Sequence, residues 1–174
     1  MANKTKGDEL GLIYELLRLD SKAYEVLNGS IGSVVKTANE EIKSPIEQVM
    51  FFVLLFNVVI GINREINATS GVYLQKEITV DDKKYYADFV VETKGIVNTK
   101  EIIHRTIIEC DGHDFHEKTK EQAQHDKERD RLLQKAGYTI LHFTGSEIWA
   151  DPQKCGQQIY DIIINSIKGS DDNA

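Results

Sequence analysis

The sequence is poor in cysteine and shows no apolar leader. Only Cys110 and Cys155 occur in 174 residues, too few for a disulfide scaffold. The first eleven residues are mostly polar and charged and do not resemble a secretory signal. We therefore expect a reduced, cytoplasmic setting.

Long hydrophobic runs are also scarce. The longest extends from Val49 to Ile62, contains Asn57, and falls short of the ~20 residues needed to cross a bilayer. We therefore interpret this run as a buried helix and expect no membrane association.

An excess of basic charge is missing as well. The 28 Asp and Glu residues outnumber the 21 Lys and Arg residues, so the formal net charge is -7. Such acidity argues against a protein that coats nucleic acid through general basicity. A local basic surface or a metal ion could still hold phosphates.

No repeat, low-complexity tract or Pro/Gly-rich linker divides the chain, and 41% hydrophobic residues suffice for one core. We predict a helical extension over residues 1–43, a main domain over residues 44–168 and a flexible tail over residues 169–174. Helical spacing of apolar residues predicts an amphipathic helix in the extension, from about Asp8 to Leu27.

The main domain begins with a helix signal. Ser44 is placed as an N-cap, Pro45 as the first helical residue and Glu47 as the acid of a capping box. The helix that follows is nearly all apolar and is expected to reach about Ile60. Glu47 is therefore a candidate for a purely structural role as well as for a site.

The remaining pattern predicts an α/β fold. Alternating, β-branched and aromatic residues indicate a three-stranded meander, a solvated helix, a fourth strand and a last helix opened by Pro152. A right-handed crossover would make the fourth strand parallel to the third, giving a mixed four-stranded sheet flanked by helices. The predicted ranges are strands 72–80, 85–92, 101–110 and 138–143, with the helix over 117–137.

The register of the meander follows from its second turn. A tight turn at Asn98-Thr99 would place Glu92 opposite Arg105, which is a favourable cross-strand pair. A competing turn at Lys94-Gly95 would break that register.

The same register places Asp88 opposite Glu109. Two carboxylates side by side and half desolvated would repel each other, so at least one would take up a proton unless a cation lies between them. Carboxylate oxygens suit magnesium or manganese. We therefore predict a divalent cation site here.

Cysteine and histidine offer a different hypothesis. Cys110, His113, His116 and Cys155 have the chemistry of zinc ligands, but their spacing is only weakly suggestive and no CxxC pair exists. A structural zinc site remains an alternative.

Several segments resemble the PD-(D/E)XK nuclease superfamily. They are SPIEQ, YADFVV, IIECDGHDFHEKTKEQ and DKERDRLLQKAGYTILHFTGSEIW, and they span roughly Ser44 to Trp149. The nearest branch is the small restriction-endonuclease-like proteins similar to very short patch repair endonucleases. The resemblance implies a restriction-endonuclease-like core and hydrolysis of DNA phosphodiester bonds with Mg²⁺ or Mn²⁺.

The resemblance also implies roles for individual residues. Glu47, Asp88 and Glu109 match the three acidic positions that hold the cation, and the backbone carbonyl of Cys110 matches a further ligand. Asp111 occupies the position of the usual lysine, where it is an expected additional metal ligand.

Positive and proton-carrying groups follow the acidic residues. His116 is a candidate for proton transfer, and His113, Lys118 and Arg129 are candidates for contact with substrate phosphate. Arg129 could equally belong to an ordinary salt-bridged helix surface. Because Asp111 replaces the lysine, a catalytically degenerate module that binds nucleic acid or a protein partner remains the alternative function. With either function the chain could act with a protein partner or as a homodimer.

Overall fold

The computed structural model describes residues 40–66, 68–97, 99–112 and 119–169. The predicted first helix, nearly all of the predicted extension and the predicted tail beyond Gly169 lie outside these residues.

The described residues form helices packed on one sheet. The helical elements are α1 (Pro45–Val53), a π-helical segment (Leu54–Val59), α2 (Ile60–Glu65), α3 (Lys120–Lys135), α4 (Gly145–Ala150) and α5 (Pro152–Gly169). The strands are β1 (Ala68–Val80), β2 (Lys83–Val97), β3 (Lys100–Asp111) and β4 (Tyr138–Thr144). Each strand is longer than predicted, and the short helix α4 was not predicted.

The sheet has the order β1-β2-β3-β4. β1 to β3 form an antiparallel meander, and β4 is parallel to β3 after the α3 crossover. The predicted α/β fold with a mixed four-stranded sheet is therefore confirmed.

The predicted register between β2 and β3 is confirmed by its marker pair. Glu92 is paired with Arg105, and the Arg105 Nε donates to Glu92 Oε2 over 2.9 Å. The competing turn at Lys94-Gly95 does not form, because both residues pair with β3 inside the ladder.

The turn between β1 and β2 consists of two aspartates. Asp81 and Asp82 both have positive φ, 50° and 61°, as a two-residue type I′ hairpin requires. Aspartate tolerates this conformation better than most residues because its short side chain can bond locally.

Two cores lie on opposite sides of the sheet. The main core packs α1, the π segment, α2, α4 and α5 against the sheet, whereas the small core packs Leu133 of α3 against the other face. In β1, Val72 and Leu74 belong to the main core, whereas Ile78 and Val80 belong to the small one. Strand side chains alternate between faces, so positions of equal parity should share a face. β1 therefore changes face between Leu74 and Ile78.

β2 changes face at the matching point. Tyr85 and Ala87 belong to the small core, but Phe89 and Val91 belong to the main core. The ladder has the pairs Leu74↔Phe89 and Lys76↔Ala87 but no pair between them. We call this point, where Gln75 lies opposite Asp88, the face switch.

The cause of the face switch is visible in the backbone of Gln75. Its φ is 42°, in the left-handed region, although it lies inside a strand. The other non-glycine residues with positive φ in the described chain, Asp81, Asp82 and Thr99, lie in turns. One such residue inverts the side-chain alternation that follows it.

The apolar run forms a longer helix than predicted. From Pro45 to Glu65 the chain is helical over 21 residues, which by length and composition is enough to cross a membrane. Its side chains at Met50, Val53 and Leu54 are nonetheless fully buried in the main core. Burial against the sheet and α5 supports the prediction of a core helix.

The predicted capping box at the start of α1 is wrong. Ser44 has the extended N-cap backbone, but its side chain makes no cap hydrogen bond. Complete capping boxes occur instead at Thr119 with Gln122 and at Thr144 with Glu147. Glu47 is therefore available for contacts outside its own helix.

Gly156 allows α5 to approach the core helix closely. A Cβ at this position would lie 2.6 Å from Cγ1 of buried Val53 and 3.2 Å from Nδ2 of Asn57. We expect Gly156→Ala to lower the free energy of unfolding by about 1–3 kcal/mol, because neither neighbour can move without disturbing the core. Chemical denaturation measures this.

Gly169→Ala is the matched control, since a Cβ there meets no atom within 4 Å. Its stability should equal or slightly exceed that of the wild type. Equal stability of the two alanine variants would contradict the close packing of α5 at Gly156.

Candidate active site

Three elements bring acidic side chains together. Glu47 lies in the first turn of α1, Asp88 at the face switch of β2, and Glu109 near the end of β3. Their mutual influence is electrostatic, because the charge of Asp88 raises the pKa of both Glu47 and Glu109. Asp88 is thus the carboxylate to which the other two are coupled.

Asp88 is held by the neighbouring strand. Its Oδ2 accepts a hydrogen bond from the backbone N–H of Cys110 over 2.9 Å. The ladder between β2 and β3 ends at the pair Phe89↔Ile108. Asp88 and Glu109, which were predicted to face each other, therefore lie just beyond the last backbone-paired residues. At this point the Asp88 side chain, and not the β2 backbone, hydrogen-bonds to β3.

Glu47 is half-buried and faces Asp88 from the helix. Burial raises its pKa most, and the charge of Asp88 raises it further. Hydrogen bonds from Gln75 and Ser44 act in the opposite direction. The prediction that Glu47 does more than cap its helix agrees with these contacts.

Glu109 is the most buried of the acids, with 8% of its surface exposed. Burial raises its pKa, and the hydrogen bond and charge of Arg129 oppose that rise. Arg129 lies on α3 and donates both to Glu109 Oε1 and, over 3.2 Å, to the carbonyl of Tyr86. Arg129 therefore braces the acidic cluster, which consists of Glu47, Asp88 and Glu109.

Asp111 ends β3 and contacts a histidine that sequence reasoning missed. His142 of β4 has Nδ1 3.3 Å from Asp111 Oδ2 and Nε2 3.1 Å from Asp130 Oδ2. The parallel ladder pairs His142 with Glu109. A polar residue inside the apolar strand YTILHF was the available signal, and the predicted parallel pairing could have located it.

Gln75 was also missed by sequence reasoning. Its Nε2 lies 3.4 Å from Glu47 Oε2 and 3.5 Å from Asp88 Oδ1. The strand pattern around Gln75 alternates in the ordinary way, so nothing in it marked the position. The left-handed φ that points its side chain to the acids is a tertiary feature.

The two thiols of the zinc hypothesis lie in surroundings that disfavour their ionisation. Burial raises the pKa of Cys110 far above the ordinary value, and the charges of Asp88 and Glu47 raise it further. Burial raises the pKa of Cys155 to about 11. Without a metal, both thiols are therefore held in the neutral form. His113 and His116, the other members of that hypothesis, lie outside the described residues, as does Lys118.

Two cavities lie along α3 beside the acids. The larger one, of about 540 Å³, is lined by residues from β3, β4 and α3. The smaller one, of about 380 Å³, adjoins the same helix, and both include Ala123 and Lys127. The larger cavity is lined by Glu109, Asp111, Ala123, Asp126, Lys127, Arg129, Asp130 and His142.

The carboxylate oxygens of these acids are ligands that suit a hard divalent cation. The side chains are nonetheless not arranged as a ligand shell. Within residues 40–66, 68–97, 99–112 and 119–169, no three His, Cys, Asp or Glu side chains are grouped closely enough to hold a metal ion. Arg129 and Gln75 instead supply the hydrogen-bond donors for Glu109, Glu47 and Asp88. Burial keeps the pKa of Glu47 and Glu109 raised in spite of these donors, and the charge of Asp88 adds to the rise.

Comparison with known protein families identifies the family of this chain. The family REase_MTES_1575 matches residues 62–163, more than half of the sequence. The chain belongs to this restriction-endonuclease-like family. No curated protein and no solved structure matches the chain with significance.

Family membership covers β1 to most of α5. The matched region includes Asp88, Glu109 and Asp111 but begins after Glu47. Membership in a restriction-endonuclease-like family suggests a nuclease in general terms. The narrower likeness to very short patch repair endonucleases stays a prediction.

Proposed function

We propose that this protein is a metal-dependent endonuclease that hydrolyses DNA phosphodiester bonds. The observation that carries the proposal is that Asp88 of β2 acts electrostatically on both Glu47 of α1 and Glu109 of β3, and shares the Gln75 amide with Glu47, in a restriction-endonuclease-like chain. A cluster of partly buried, coupled carboxylates suits cation binding.

The proposed cation is Mg²⁺ or Mn²⁺. Asp88 and Glu109 would hold it, with Asp111 and the backbone carbonyl of Cys110 as further oxygen donors. Bound there, such a cation supplies an activated water and offsets charge developing on the phosphate.

The surrounding residues position these ligands. The backbone N–H of Cys110 orients Asp88, Arg129 orients Glu109, and His142 contacts Asp111. Glu47 faces Asp88 from the other side and would support the ligand shell. His116 is proposed for proton transfer, and His113 and Lys118 are proposed to contact phosphate.

The exposed face of α3 supports a nucleic-acid substrate. Lys120, Lys127 and Arg131 line the smaller cavity together with Gln124 and Ala123, and no acidic residue of the described part of the chain lines it. None of these three cations forms an ion pair with another described residue. We call them the basic stripe. Because the two cavities share residues, a DNA backbone could pass from the stripe to the acids.

Cleavage of duplex DNA in the presence of Mg²⁺ tests the proposal. We expect cutting with Mg²⁺ or Mn²⁺ and none with EDTA, and equal binding of DNA when Ca²⁺ replaces Mg²⁺. A protein that binds no divalent ion and leaves DNA intact under all these conditions would contradict the proposal.

A second candidate function is a degenerate module that binds nucleic acid or a protein partner. The observation in its favour is that Arg129 already pairs with Glu109, while Asp111 replaces the usual lysine. In this case the acids would be a remnant and the basic stripe would carry the binding.

Substitution of Asp111 separates the two candidates. If Asp111 is a ligand, Asp111→Asn should weaken Mn²⁺ binding by about 10-fold or more and slow cleavage, because a carboxylate is lost at constant size. Asp111→Lys should not restore activity. An inert wild type that becomes a Mg²⁺-dependent nuclease on Asp111→Lys would establish the degenerate module.

A further inference from the structure

Gln75 has the most unusual backbone of any described residue near the site. Its φ of 42° lies inside β1, away from any turn, at the point where the ladder with β2 is interrupted. A residue other than glycine, asparagine or aspartate rarely adopts such a backbone conformation, and the conformation persists only where the surrounding structure imposes it.

The result of this conformation is the placement of one amide. Gln75 Nε2 lies between two carboxylates, 3.4 Å from Glu47 Oε2 and 3.5 Å from Asp88 Oδ1. Both contacts are long, so neither is a strong hydrogen bond. Their joint effect is to put a neutral donor where two like charges face each other, and the Gln75 contact lowers the raised pKa of Glu47.

One oxygen of Asp88 is already held by the neighbouring strand. Asp88 Oδ2 is engaged by the Cys110 N–H, which leaves Oδ1 as its freer oxygen. Glu47 is carried by α1, which belongs to a different layer from β2. Since Gln75 is the described side chain that hydrogen-bonds both acids, it connects the helix-borne acid to the strand-borne one.

We propose that Gln75 is a positioning residue of the acidic site, holding Glu47 and Asp88 at the separation from which both can face one divalent cation. This inference rests on the proposed function. The left-handed backbone of β1 serves to aim the amide at the two acids, and the face switch is its consequence in the sheet.

Three substitutions test this at constant backbone strain, because alanine, glutamate and lysine meet the same left-handed φ as glutamine. For Gln75→Ala we expect Mn²⁺ affinity, measured by calorimetry on the full chain, to fall about 10- to 100-fold, as for other residues that orient ligands. Wild-type affinity in Gln75→Ala would overturn the proposal.

Gln75→Lys and Gln75→Glu give a readout without metal. The lysine ammonium should act as an internal cation beside the two acids. In EDTA the lysine variant should therefore unfold at a higher temperature than the alanine variant. Without EDTA it should bind Mn²⁺ at least 100-fold more weakly than the wild type. The glutamate variant should unfold at the lowest temperature of the three in EDTA and gain most from Mn²⁺. The same unfolding temperature for all three in EDTA would show that residue 75 does not face the acids, and would overturn the proposal.

These outcomes are distinguishable from failure of the proposed function. If the wild type binds Mn²⁺ but cuts no DNA, endonuclease activity is wrong and the calorimetric ranking at position 75 still decides the role of Gln75. If the wild type cuts DNA and Gln75→Ala binds Mn²⁺ normally, only the role of Gln75 is wrong.

Discussion

Asp88→Asn should abolish cleavage while leaving the fold intact. An asparagine keeps the size of the side chain and an oxygen that can accept the Cys110 N–H, so the contact between β2 and β3 survives. The substitution removes the negative charge that acts on both Glu47 and Glu109. We expect Mg²⁺-dependent cleavage to drop by at least about 10³-fold, since a bound cation contributes several kcal/mol.

Asp161→Asn is the matched control, because it makes the same change on the exposed side of α5, where Asp161 bonds Gln157. Its cleavage rate should equal that of the wild type. Single-turnover cleavage assays with circular dichroism of both variants measure the difference. Full activity in a folded Asp88→Asn protein would remove Asp88 from the site.

Arg129→Met should produce the largest loss of stability near the site. The side chains of Arg129 and Glu109 are only 17% and 11% exposed, so removal of the arginine leaves a buried carboxylate without its cation. Breaking such a buried pair costs about 3–5 kcal/mol in the free energy of unfolding. Methionine preserves most of the apolar stem, so the loss should be chiefly electrostatic.

The pH dependence of that loss has a definite sign. The folded protein raises the pKa of Glu109, and without Arg129 the pKa should rise further. Below this raised pKa the folded state keeps Glu109 neutral, and stability decreases as pH rises through it because the unfolded state releases the proton more readily. Arg129→Met should therefore lose more stability at neutral pH than at acidic pH.

Mg²⁺ gives a second readout for the same variant. A divalent cation beside Glu109 would replace the missing positive charge, so Mg²⁺ should raise the unfolding temperature of Arg129→Met more than that of the wild type. Arg131→Met, on the exposed face of α3, is the control and should change stability by no more than about 0.5 kcal/mol. Equal losses in the two variants would contradict the bracing role of Arg129.

Much of the fold could be predicted from local patterns. Alternation marked the three strands of the meander, and Gly137 marked the end of the crossover helix. The turn at Asn98-Thr99, supported by the Glu92–Arg105 pair, gave the register that the ladder has. These predictions succeeded because side-chain periodicity and turn chemistry act over a few residues. The capping box at Ser44 did not form: the serine side chain makes no hydrogen bond to the helix backbone and interacts with the Glu47 side chain instead.

The candidate site could be predicted only in part. The acids on β2 and β3 followed from register, and the resemblance added Glu47 from a helix distant in sequence. His142 and Gln75 were missed, since their relevance depends on which strand lies beside which and on one left-handed backbone angle. His113, His116 and Lys118 stay predictions.

The sequence by itself determined the elements, their order and the acidic residues available for chemistry, because hydrophobic periodicity and residue type are local properties. Tertiary structure decided which charges face each other. Arg129 reaches Glu109 only because α3 packs on that face of the sheet, and Gln75 reaches both Glu47 and Asp88 only because β1 changes face at Gln75. Electrostatic coupling depends on distance and burial, and neither quantity exists until the layers have packed.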